Sequence, residues 1–84
     1  METNPHLKRA ILEVVDNQIN NNDPPETAQT LNRLKNEGYS ENDARELLAT
    51  VVSVEIFDVL KNQEEFNRER FVKALNNLPK MPWD

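Results

Sequence analysis

Residues 44–60, ARELLATVVSVEIFDVL, run for five turns of helix without a glycine or a proline, and this stretch limits the chain's folding options more than any other. On a helical wheel Leu47, Val51 and Val54 fall together, with Leu48, Val52 and Val59 beside them. Ile56, Phe57 and Leu60 carry the apolar surface around most of the circumference. A helix apolar nearly all round belongs at the centre of a fold, with neighbours on at least two sides, or it recruits a second chain. The predicted architecture is therefore all-α: a compact bundle of four helices with a long central third helix, forming a single domain over residues 1–84.

The remaining helices follow from their start and stop signals. Asn4 before Pro5 opens a first helix over 5–20, with Leu7, Ile11, Val14, Val15 and Ile19 on its buried face. Asp23-Pro24-Pro25-Glu26 reads as a second start, with Asp23 as cap, Pro24 at the first helical position and Glu26 reaching back to the cap. Gly38 is the left-handed terminator of that helix. Ser40, with Asp43 three residues on, caps the central helix. Asn67 caps a fourth, with Phe66 positioned to pack on Phe71 as a hydrophobic staple, and Pro79 ends it. The expected core is Leu7, Ile11, Val14, Val15, Leu31, Leu34, Leu48, Val51, Val52, Val59, Phe71, Leu75 and Leu78, with Trp83 docking to tie the tail down.

Composition narrows the functions. With no cysteine, disulfides, thiolate metal sites and thiol catalysis are excluded. No stretch approaches the roughly 20 apolar residues of a membrane span, and the first ten residues lack the apolar segment of a secretory signal, so the expectation is a soluble, cytoplasmic protein without a membrane partner. The net charge is −5, and residues 23–61 hold eight of the 15 acids against four bases. An acidic surface gains nothing from counterion release, which argues against nucleic acid as a partner. Residues 31–52 have the outline of a DNA-binding helix–turn–helix, but Glu41, Asp43 and Glu46 would then face phosphates. Residues 36–39, Asn-Glu-Gly-Tyr, are similar in part to the loop of ubiquitin-associated domains, over about a quarter of the chain. The central helix is too long for that fold, and the likeness is a shared way of capping a helix.

Catalytic and metal constellations are sparse. His6 is the one histidine, one glycine cannot build a phosphate loop, and neither Ser40 nor Ser53 belongs to a nucleophile motif. No cofactor, metal ligand or catalytic residue is assigned, and the protein is expected not to be an enzyme. Glu55 is the informative polar residue. It lies between Leu48 and Val51 on the wheel, where a carboxylate must pair, coordinate or be protonated. Either neighbouring packing leaves it at a groove edge or it pairs with Lys8, Arg9 or Arg45, and Asp58 raises the same question more weakly.

Residues 14–19 (VVDNQI), 23–27 (DPPET), 38–40 (GYS) and 54–60 (VEIFDVL) together resemble a bacterial family of small all-helical domains of unknown function. Some members of that family carry His-x3-His pairs in the first and third helices, which implies a metal site there. At the matching positions this chain has Lys8 and Leu12, then Asn42 and Glu46, so of the implied ligand region only the carboxylates Glu46 and Glu55 remain. The resemblance implies the helical fold and no activity.

Two functional readings follow. The first is a non-catalytic bacterial protein-interaction or accessory domain that self-associates or binds a protein partner, with Ile56, Phe57 and Leu60 as its surface. The second is a small ligand- or metal-binding domain centred on Glu55 as a buried acid, which predicts a raised Glu55 carboxyl or a shift of its signal on adding divalent cations.

Overall fold

In the computed structural model, which describes residues 5–83, four helices follow one another: α1 (Pro5–Asn21), α2 (Pro25–Asn36), α3 (Glu41–Asn62) and α4 (Arg68–Asn77). The predicted cap at Asn4 lies outside the described residues. No described helix is long and apolar enough to cross a membrane.

Local chemistry sets most boundaries. Ser40 Oγ accepts the Asp43 N–H at 3.0 Å, and Asn67 Oδ1 accepts the Arg70 N–H at the same distance, each satisfying one of the unpaired donors of a first helical turn. Phe66 packs on Phe71 with ring centroids 5.4 Å apart and planes tilted by 58°, which completes the staple at the start of α4. At the end of α2, Gly38 takes a φ of 104°, a conformation that suits a residue without Cβ. The Tyr39 N–H then donates to Leu34 O and the Gly38 N–H to Lys35 O, closing the helix with paired back-bonds.

The start of α2 differs from the sequence expectation. Pro24, with φ −74° and ψ 150°, occupies the cap position, and no side chain caps the helix. A residue followed by proline is driven out of helical geometry, so Pro25 prevents Pro24 from being the first helical residue. Asp23 instead finishes the preceding turn, its N–H donating to Gln18 O at 3.0 Å. Glu26 turns outward, and its Oε1 accepts from Arg68 Nη2 of the α4 start at 3.3 Å.

α3 packs on all three other helices, as its apolar circumference requires. α2 also touches all three, while α1 and α4 make no contact among the described residues. The core is built from Val15, Leu31, Leu34, Ala44, Leu48, Val51, Val52, Phe71, Leu75 and Leu78. Thr27 and Thr30 are buried with it. The Thr27 hydroxyl donates to Gln18 Oε1 at 2.9 Å and the Thr30 hydroxyl to Glu26 O at 2.7 Å, so neither leaves a polar group unmatched.

Several expected core positions lie outside it. Leu7 and Val14 are exposed, and Ile11 and Val59 are half-buried. α1 packs on α2 and α3 but not on α4, and part of its apolar stripe stays uncovered. Trp83 is also not docked: its side is 69% exposed. Buried Leu78 already closes that end of the core, and half-buried Met81 lies over the cleft between α3 and α4, so the chain passes on with the indole in water.

Candidate functional site

The exposed apolar residues of α3 are those the sequence picks out as an interaction surface. Ile56 is 41% exposed, and Phe57 and Leu60 are each 73% exposed. They do not stand alone. Ile56 and Leu60 form one wall of a groove of about 300 Å³ that Val14 of α1 and Phe66 before α4 complete, with Val52 and Phe71 also lining it. Val14, Ile56, Leu60 and Phe66 are all exposed, so the groove is apolar and open to water. It occupies the gap left because α1 and α4 do not meet. Phe57 stands beside the groove and does not line it.

Sequence reasoning missed two contributors. The helical period places Val14 in the core, but with α4 out of reach it stays exposed. Phe66 packs on Phe71 as the staple pattern predicts, yet it remains exposed.

Glu55, whose wheel position leaves burial or a groove edge open, is buried at 5% exposure. Its partner is neither Lys8, Arg9 nor Arg45. Arg70 of α4 binds it edge-on, Nε to Oε2 at 3.0 Å and Nη2 to Oε1 at 2.9 Å, and the Asn67 N–H donates to Oε1 at 3.0 Å. Lys8 pairs with Glu46 at 3.0 Å, and Arg45 forms a two-pronged pair with Asp16 at 3.0 and 2.7 Å. Each expected cation except Arg9 thus has a nearer carboxylate on a facing helix.

Burial pushes the Glu55 carboxyl up, but the hydrogen bonds from Arg70 and the Asn67 N–H, together with the Arg70 charge, outweigh it and hold the group below its ordinary value. The Glu55 and Glu64 carboxylates, which accept its N–H donors, hold the Arg70 guanidinium above its ordinary value. Arg70 Nη1 reaches Glu64 Oε1 at 2.8 Å, and Asp58 Oδ2 lies 3.9 Å from Nε. One guanidinium therefore fastens α3, the connection after it and the first turn of α4. Both Glu55 oxygens are already engaged, Oε1 by Arg70 and the Asn67 N–H and Oε2 by Arg70. Among the described residues, no three acidic or histidine side chains come together to hold a metal ion.

Glu55 also forms part of the groove's lining, so the Arg70 clamp braces the wall that carries Ile56 and Leu60 against the base of Phe66 and Phe71. The groove is apolar on its faces and held in shape by a charged brace behind them. Compared with protein-family models, curated proteins and solved structures, this chain matches none.

Proposed function

We propose that this chain is a non-catalytic protein-interaction domain, bacterial and cytoplasmic, whose docking face is the groove between α1, α3 and the start of α4. The observation that carries this reading is the exposure of Ile56, Phe57 and Leu60 around a groove whose other side is Val14 and Phe66. Burying such side chains on a partner supplies the main driving force of association. The face is poor in charge, as the centre of a protein interface is. The acidic balance of the chain favours a protein partner over a nucleic acid. The one buried acid, Glu55, is committed to Arg70 and Asn67, and this supports a structural role for it over a chemical one.

The test is site-specific photo-crosslinking in the cells that make the protein. A photoreactive phenylalanine analogue at Phe57 or Leu60 should give discrete protein adducts, while the same analogue at Asn32, exposed on α2, should not. Equal, background-level crosslinking at all three positions would overturn the reading.

A further inference from the structure

We infer that the occupant of the groove is a second copy of this chain, related by a two-fold axis, with Phe57 of each copy seated in the groove of the other. This rests on the interaction reading above and names its partner. Three features of the face support it.

The first is shape. Phe57 projects beside the groove at 73% exposure and contributes nothing to its lining. A knob next to a hole is what a self-complementary surface needs, because a two-fold axis between them sets each knob over the other copy's hole. The groove, at about 300 Å³, has ample room for a phenyl ring. An enclosed apolar cavity of roughly 150 Å³ already admits benzene.

The second is area. The exposed parts of Val14, Ile56, Phe57, Leu60 and Phe66 amount to ~500 Å² of apolar surface on one copy. Two such faces together give ~1,000 Å², the lower bound of a specific interface.

The third is charge. Lys61, four residues after Phe57, stands on the knob side of α3, and Glu65 precedes Phe66 on the groove side. Both are exposed, and neither takes part in an ion pair among the described residues. They carry opposite signs. Across a two-fold axis Lys61 of one copy meets Glu65 of the other, and the reciprocal contact forms at the same time. A rim of a single sign would repel its own copy.

Sedimentation velocity of the purified full chain at low salt, across a concentration series, tests the inference. The expected result is a reversible dimer in the micromolar range. Phe57→Ser and Leu60→Ser should each be monomeric with an unchanged helical circular dichroism spectrum, since both residues are exposed. If one of them fails to fold, the other carries the test. Lys61→Glu or Glu65→Lys alone should weaken the dimer roughly tenfold, two rim pairs being turned repulsive at once. The double variant Lys61→Glu/Glu65→Lys should recover the original affinity. An equimolar mixture of the two single variants should form a heterodimer tighter than either homodimer.

A chain that stays monomeric at every concentration would overturn the inference. So would a dimer indifferent to Phe57→Ser and Leu60→Ser, or single charge reversals that the double variant does not rescue. A monomeric purified chain that still gives discrete adducts in cells would leave the interaction reading standing with a different protein as partner. A monomer without adducts would remove both.

Discussion

The guanidinium of Arg70 lies edge-on to the Glu55 carboxylate, with two N–H donors 3.0 and 2.9 Å from its two oxygens, across a separation of 15 residues in sequence. The acid is buried and the base is more than a third exposed. The two ends of this pair therefore respond differently to substitution. Glu55→Gln keeps one acceptor but turns an amide N–H₂ toward the Arg70 donors, and it should cost about 1–3 kcal/mol. Arg70→Met leaves a buried carboxylate held only by the Asn67 N–H and should destabilise the fold more than Glu55→Gln does. Urea unfolding of the two variants beside the parent chain checks the order.

The same pair makes stability depend on pH in a definite direction. The Glu55 carboxyl is held below its ordinary value of 4.5 in the folded chain. Between the unfolded and the folded value the unfolded chain binds more protons, so stability falls as pH falls. The contribution is fully present above about 4.5 and is lost below it, as pH drops through the lower folded value. Urea midpoints measured from pH 7 down to pH 3 should converge for the parent and Glu55→Gln, because protonation removes what the variant already lacks.

Within α3, two leucines twelve residues apart should behave oppositely. Leu48 is fully buried, and Leu48→Ala should cost about 2–5 kcal/mol through lost transfer energy and the cavity it leaves. Leu60→Ala, measured at dilution, should stay within about 0.5 kcal/mol of the parent. Thermal unfolding followed by circular dichroism distinguishes them directly.

Gly38→Ala isolates a backbone effect. Nothing lies within 4 Å of the position an added Cβ would take, so the substitution meets no steric obstacle. The φ of 104° alone opposes it, at a cost of about 1–2 kcal/mol. Ser40→Ala, two residues on, should cost about 1 kcal/mol by removing the α3 cap.

Trp83 is the sole tryptophan and stands in water. In the dilute monomer its fluorescence should therefore change little on unfolding and be readily quenched by iodide in the folded state. A large blue shift on folding would place the indole in the core.

Elements set by nearby residues were legible in the sequence, while contacts set by distant ones were not. Ser40, Asn67, Phe66 and Gly38 act within a few residues of themselves, and each takes the role its local chemistry implies. The exception is local too: in the Pro24-Pro25 pair, the restriction that Pro25 places on Pro24 outweighs proline's preference for a first helical position. The place of Glu55 within the apolar surface of α3 could be read from a helical wheel, but its burial could not. Nor could its pairing with Arg70, because that depends on how α4 folds back along α3. Thr27 and Ala44 were missed as core because one is polar and the other small, although a satisfied hydroxyl and a close helix approach bury both. Leu7 and Val14 obey the period of a buried face, but period reports which face turns inward, and the width of its cover depends on neighbours.

The four helices close a ring in the order α1–α2–α4–α3, with α2 and α3 in contact across it and α1 and α4 held apart. α1 is tethered by α2 and α3, and its amide protons should exchange with solvent sooner than those of α3. Whatever fills the groove touches Val14 at one lip and Phe66 at the other, and so bridges α1 and the start of α4. Occupancy then slows exchange in two helices that never touch each other, and association can be read from the breathing of α1 without any change in its fold.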